Sequence, residues 1–288
     1  MKRPLRLPLL FLGAVLAALP VMELQAAEPP RMKMSTPIPE GIATPDRLET
    51  QLGTLTGFDG VPDKATTAKV YDNLDLQRAT QAFLSSLQIA SLNAMEKGLL
   101  TFGPPNTTVL VFEELMDSKA LWLTPNTVSI YMSTWLEMGD EPMVIETPPK
   151  VLGFINDSWF QYVADFGNAG PDRGKGGKFL ILPPGYKGAV PEGYHVARTT
   201  TRGNWIAWRG FQVNGSTAPA VKATRESFRI YPLSRKASPP AMNFVNVSGK
   251  FHNTIHRMDE GFWEELNETI QAEPLEGLDA DLRGLLAS

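Results

Sequence analysis

Few side chains in this chain could do chemistry, and their spacing limits what they could do. Among 288 residues there are three histidines and no cysteine. The lack of cysteine rules out a disulfide, a thiol nucleophile and a thiolate metal ligand. His252 and His256 stand four apart, the spacing at which two imidazoles on one helix face take zinc. In the zinc-protease pattern a glutamate follows the first histidine, and here Asn253 stands there. A third ligand would have to be Asp259, Glu260 or something more distant, and the surrounding segment reads as linker. A structural zinc site normally brings four ligands, so both histidines are read as structural and neither a metal nor a cofactor is expected. His195 follows Tyr194 in a strand-like run, but no G-x-S-x-G elbow supplies the serine that a hydrolase triad needs. It is expected to be a partly buried, hydrogen-bonded histidine. Lys175-Gly176-Gly177-Lys178 lacks the glycine spacing and the hydroxyl residue after the lysine that a phosphate loop requires. Glu113-Glu114 and Glu264-Glu265 are adjacent pairs whose side chains diverge by about 100° on a helix, so they cannot jointly flank a bond. No catalytic residue is assigned.

Aromatic side chains are the more suggestive group. Trp135, Trp159, Tyr162, Tyr186, Tyr194, Trp205 and Trp208 crowd one part of the chain. Aromatic faces on a sheet can stack on sugars or other flat ligands while polar edges fix orientation. Trp159, Tyr186, Tyr194, His195 and Trp205 are therefore the candidate ligand-binding residues. Trp205 and Trp208 are three apart, so a regular strand sends them to opposite faces, and one of the two belongs to the core.

These residues need elements to position them. From residue 122 to residue 211, short runs rich in Val, Ile, Thr, Tyr and Trp alternate with Pro and Gly. Strands are expected over 128–136, 143–146, 151–155, 159–165, 178–182, 194–198 and 205–212, the pattern of an antiparallel sandwich or barrel. Residues 168–178 read as a mobile glycine loop. Before the strands, Leu76, Ala79, Phe83, Leu87, Ala90 and Ala94 recur at helical spacing. Asp72 or Asn73 would cap that helix and Gly98 would end it. Helices are also expected over 216–228, 261–272 and 278–286, with a polar stretch over 234–250. No internal repeat is visible.

The two ends carry different signals. Lys2, Arg3 and Arg6 precede an apolar run over 7–19, closed by Ala26 and Ala27, which is the order of a secretory signal peptide. The run falls short of the roughly 20 residues that span a bilayer. A periplasmic or secreted product of about 260 residues is expected after cleavage, with no membrane span. Residues 28–62, rich in proline, read as an extended arm. A formal charge of -4 gives no basic footprint, so nucleic acid is not an expected partner.

Several blocks together resemble a known family. They are Val70-Tyr71-Asp72 with the run 77–84, Thr124-Pro125-Asn126, Trp135-Leu136-Glu137-Met138 with Glu141-Pro142 and Pro148, the run 180–186 with Gly188 and Pro191, and Tyr231-Pro232-Leu233-Ser234. From residue 48 onward the chain resembles the bacterial exported proteins known as domain of unknown function 1254. The resemblance implies an immunoglobulin-like β-sandwich decorated by helices. It also implies that a second, jelly-roll domain, domain of unknown function 1214, usually follows. The segment Phe262, Trp263, Leu266, Asn267 and Glu273-Pro274 is similar to the connector between those domains, and the chain ends just beyond it. A one-domain variant, a split gene or a truncated reading frame would each give that ending.

The expected fold is thus mostly β with flanking helices (α+β). It divides into a signal peptide (1–27), an arm (28–62), a β-sandwich domain with helices (63–250) and a helical connector (251–288). The expected function is a non-catalytic binding or assembly module of the cell envelope, taking a small molecule or glycan. The alternative is a hydrolase of an extracellular substrate, with its site at the interface to a missing second domain. Phe262, Leu266 and Ile270, with Leu278, Leu282, Leu285 and Leu286, form an apolar stripe expected to self-associate or to take a protein partner.

Overall fold

The computed structural model describes residues 39–287, and the expected signal peptide lies outside them. The described residues fall into two compact units that divide between Thr66 and Thr67. In the first, β1 (Arg47–Thr50), β2 (Gly53–Phe58) and β3 (Val61–Pro62) make a small antiparallel sheet. Residues 47–62 are therefore strands and turns, where an extended arm was expected. Gly53, at φ 86, supplies the turn that lets Arg47–Thr50 pair back on residues 53–56.

Helix α1 runs over Lys64–Leu100. Asp63 caps it by accepting from the Thr66 amide at 2.7 Å, so Asp72 and Asn73 lie inside the helix and do not start it. Gly98 also lies inside. A Cβ there would come within 2.3 Å of the Asn253 carbonyl oxygen, so the glycine permits close approach of another segment and does not terminate the helix. Ile89, Ala90, Leu92, Met95 and Leu99 are buried, whereas Leu76, expected on the buried face, is 66% exposed. Aromatic cover for α1 begins only at Phe83, whose ring lies 4.7 Å from that of Phe262.

The second unit is built on two sheets. The strands are β4 (Thr108–Val111), β5 (Ala120–Leu121), β6 (Ile130–Glu137), β7 (Met143–Glu146), β8 (Leu152–Asp157), β9 (Tyr162–Gly167), β10 (Lys178–Leu182), β11 (His195–Arg198), β12 (Gly203–Gly210), β13 (Arg229–Pro232), β14 (Asn243–Asn246) and β15 (His252–Asn253). The helices are α2 (Ala218–Ser227), α3 (Gly261–Ala272) and α4 (Ala280–Ala287). One sheet has the order β14-β4-β6-β12-β8-β9 and the other β11-β10-β7-β13, while β15 pairs with β5 alone. Helices and sheets together make an α+β fold.

Alternation explains the core. Val109, Met132, Ile206, Trp208, Ile155 and Phe166 of the six-stranded sheet share one buried cluster with Ile145, Phe179, Ile181 and Ile230 of the four-stranded sheet. The opposite face of the four-stranded sheet is buried too, with Val144, Leu180, Leu182 and Tyr231 under Tyr186, Tyr194 and Leu233. Covered on both faces, β7 and β10 read as nearly continuous apolar runs. Two edge pairs, β10 with β11 and β4 with β14, are parallel, a departure from the all-antiparallel expectation. A parallel neighbour needs a long return of the chain, and residues 183–194 provide one between β10 and β11.

The glycine loop over 168–178, expected to be mobile, is tied down. Asp172 accepts from the Gly167 amide at 2.7 Å, and the Gly174 and Gly177 carbonyls accept from the Lys150 and Thr147 amides at 2.9 Å each. The apolar stripe of the last helices is largely covered as well. Phe262, Leu266 and Leu278 are buried against Ile89, Ala90 and Trp159. Trp263 of α3 remains 42% exposed. The face on which self-association was expected is thus mostly occupied by α1.

Candidate functional site: an aromatic groove on the six-stranded sheet

The outer face of the six-stranded sheet is divided between two environments. Over β4 and β6, Leu92, Met95 and Leu99 of α1 pack on Leu110, Phe112 and Trp135. Over β12 and β8 the same face is open. Strand register sets what that open face displays. Tyr131 of β6, Arg209 of β12 and Leu152 of β8 stand in one row, and Ser133, Ala207, Phe154 and Asp165 of β9 in the next. Trp135, Trp205 and Asn156 form the third row. Ala207, between Ser133 and Phe154, is small enough to leave a floor. The resulting groove has a volume of about 430 Å³ and is closed at its sides by residues 122–125 and by Phe160.

Trp205 is its central ring. Phe154 meets it edge-on at 4.9 Å, Phe160 lies at 6.0 Å and Trp122 at 6.2 Å. Its indole N–H donates to the Ser133 hydroxyl at 2.8 Å, and that hydroxyl donates to the Ile206 carbonyl at 3.3 Å. The ring is half-buried and fixed, with one surface toward the groove. The Arg209 guanidinium lies 5.8 Å from the Tyr131 ring centroid, a cation–π distance. Neither the Arg209 guanidinium nor the Asp165 carboxylate has an ion-pair or hydrogen-bond partner among the described residues. Two lining residues hold left-handed backbone, Thr124 at φ 53 and Phe160 at φ 61. A β-branched or bulky residue is an outlier there, and such strain concentrates at ligand-binding positions.

Other concavities are poorer candidates. The cleft of about 540 Å³ beside α2 is lined by Glu113, Lys222, Arg225 and Glu226. Its charges are used internally, in the Arg225–Glu113 and Lys222–Glu226 ion pairs. A third region gathers carboxylates from α1, β6 and the end of α3. Glu273 accepts from the Ser158 hydroxyl and the Gly203 amide at 2.8 Å and from the Arg202 amide at 2.5 Å. Burial, then the neighbouring Glu137 and Glu273 charges, push the Glu96 carboxyl up to about 7. This knot joins the β12 entry loop to α3 and is a structural joint. Among the described residues, no three His, Asp or Glu side chains are grouped so as to hold a metal ion.

The five residues singled out in the sequence fall in four separate places. Trp205 is in the groove. Trp159 is 2% exposed, in the cluster with Ile89 and Phe262. Tyr186 and Tyr194 cover the outer face of the four-stranded sheet. His195 begins β11 with its ring 5.0 Å from Phe179, and among the described residues no hydroxyl or carboxylate hydrogen-bonds to it. His252 and His256, paired in the sequence reading, lie on a strand and in a loop, each against aromatic rings. Sequence reasoning missed Trp122, Thr124, Tyr131, Phe154, Phe160, Asp165 and Arg209. The alternation Trp205, Ala207, Arg209 along one strand was the available signal.

Fold and groove together define an α+β domain of two packed sheets with an open, aromatic-lined groove on one of them. Residues 106–232, which contain every groove residue, match the family model described as Protein of unknown function (DUF1254), the family that the sequence blocks resemble. No curated protein matches the chain. Among solved structures, the VPA0106 protein from Vibrio parahaemolyticus is similar at 16% identity and a TM-score of 0.48, covering 72% of this chain and 50% of that one. A putative uncharacterized protein from Burkholderia cenocepacia is similar at 13% identity and a TM-score of 0.30, covering 73% of this chain and 51% of that one. The chain thus spans about half the length of these solved proteins.

Proposed function

We propose that this chain is an exported, non-catalytic binding module of the cell envelope whose ligand stacks in the groove around Trp205. The observation that carries the reading is the fixed, half-buried indole of Trp205 set among Phe154, Phe160 and Trp122 above an alanine floor. A groove of about 430 Å³ lies within the ordinary range of small-molecule sites. Its apolar ring faces suit the flat side of a sugar or a similar ring. Arg209 and Asp165, each without a side-chain ion-pair or hydrogen-bond partner among the described residues, supply one cation and one anion to orient polar or acidic substituents. The hydrolase alternative has less support, because among the described residues His195 has neither a serine to activate nor an acid to orient it. Export rests on the basic, apolar and small-residue order of residues 1–27. An intact mass showing residues 1–27 still attached after recovery from the periplasm would overturn it.

The groove is tested by intrinsic tryptophan fluorescence during titration with soluble oligosaccharides and aromatic carboxylic acids. Trp205→Ala is expected to abolish the response, and Tyr194→Phe, on the other sheet, to leave it unchanged. Binding that survives in Trp205→Ala would place the ligand elsewhere.

A further inference from the structure

Behind the groove wall lies a buried histidine that the binding reading does not use. The Trp122 indole N–H donates to His252 Nε2 at 2.7 Å. Indole nitrogen is only a donor, so Nε2 must be the acceptor and the ring proton sits on Nδ1. Nδ1 faces the Lys250 carbonyl at 3.3 Å. His252 is 3% exposed, and its ring is boxed by Phe102 at 5.2 Å, Phe112 at 5.9 Å and Trp122 at 6.0 Å. We propose that His252 is a pH latch on the groove: protonating its imidazole breaks the bond to Trp122, loosens that wall and weakens ligand binding. The proposal rests on the groove being the ligand site.

The geometry supports each step. A protonated imidazole carries two donors and no acceptor, so it would face the indole N–H donor to donor in a box of aromatic rings. Trp122 is also a groove ring, 6.2 Å from Trp205 and 6.5 Å from Tyr131, the ring that carries Arg209. Two residues further on, Thr124 holds its left-handed backbone, so the segment is kept in place against local strain. No neighbouring charge among the described residues compensates the imidazolium. On α1, Lys97 pairs with Glu268 at 2.6 Å and Glu96 is coupled to Glu137 and Glu273. After β4, Glu113 pairs with Arg225. Before β5, the Asp117 carboxylate accepts from the Lys119 amide. On its own segment, Lys250 contributes only its carbonyl. Burial lowers the imidazole below its ordinary value of 6.5, which leaves the latch closed at neutral pH.

The test follows His252 ring and tryptophan indole N–H resonances from pH 8 to pH 5, with 4-nitrophenyl glucuronide as the binding probe. The expected result is that the Trp122 and Trp205 indole signals shift with the His252 midpoint, below pH 6.5. Probe affinity should fall about tenfold across that titration. His252→Gln presents an amide oxygen to the indole at every pH and should flatten both curves. Trp122→Phe, which removes the donor, serves if that variant folds poorly, and should also lose the pH dependence. A Trp122 signal unmoved through the His252 titration overturns the latch, as does a pH dependence that persists in both variants. A probe that fails to bind at pH 7.5, or binds Trp205→Ala equally well, overturns the site reading and the binding half of the proposal with it. The indole signals then show that failure to be distinct from failure of the latch.

Discussion

The two faces of β12 carry the same residue type to opposite ends. Trp208 points inward, 1% exposed, stacked at 4.3 Å on Phe228 with its indole on the Thr224 hydroxyl. Trp205 points outward, half-buried, with other rings beside it and a groove above. Nothing in the side chain separates a core tryptophan from a groove-lining one. The difference lies in what the fold lays over each face: the four-stranded sheet on one side, and on the other α1 over only part of the width. The same contrast recurs on α3, where Phe262 is buried on Phe83 while its neighbour Trp263 is 42% exposed.

Truncating the inward ring should have the largest effect. Trp208→Ala is expected to destabilise by about 3–5 kcal/mol, the range for buried large aromatics, whereas Trp205→Ala should cost about 1 kcal/mol and eliminate binding. Urea unfolding monitored by circular dichroism measures both. Equal losses would dissolve the distinction between the faces. Phe262→Ala should cost about 3 kcal/mol and Trp263→Ala close to none, read by the same unfolding curves. If Trp263→Ala proves as costly, both rings of α3 are held by the core and the contrast between neighbours fails.

Smaller effects depend on pH. The folded Glu96 carboxyl sits near 7 against an ordinary 4.5, so its proton is held more tightly in the native state. Stability from this group is therefore complete below pH 4.5 and lost as pH rises through 7. Glu96→Gln should add about 2 kcal/mol at pH 8, allowing for partial exposure, and nothing at pH 4. Thermal melts at the two pH values decide it, and a gain equal at both would rule out ionisation as the cause. His252 has the opposite sense. Its folded value lies below 6.5, so its contribution is complete above 6.5 and declines as pH falls toward the folded value. A loss of stability as pH falls below 6.5 that is absent in His252→Gln is the expected outcome of parallel melts. The smallest change concerns the groove loop. Thr124→Asn, with a residue that tolerates φ near 53, should stabilise by about 0.5–1 kcal/mol while leaving the core intact. A destabilised variant would show that the threonine side chain itself holds the loop.

How much was legible in the sequence depended on the range of the interactions. The strands Met143–Glu146 and Lys178–Leu182 and the helix Gly261–Ala272 fall where periodicity places them, because each has its own apolar pattern and turn residues. The short strands Ala120–Leu121 and His252–Asn253 were not legible, since each exists only through pairing with the other across the chain. Gly98 shows the same limit, because its reason is the Asn253 carbonyl, distant in sequence. At the site, Trp205 was legible as a candidate ligand-binding ring, but which of Trp205 and Trp208 faces the core was not. Trp159 was misplaced because an aromatic in a strand-like run carries no sign of which helix will cover it.

By itself the sequence determined the α+β class, the main helices and several central strands, the opposed directions of Trp205 and Trp208, and the absence of any thiol chemistry, since these follow from side-chain chemistry and backbone period. The tertiary structure alone decided that α1 stops short of β12 and β8. It also brought Trp122, Phe160 and Arg209 around Trp205, and placed His252 behind the wall. Those outcomes come from strand register and helix packing between residues as far apart as Trp122 and His252, which no local pattern encodes.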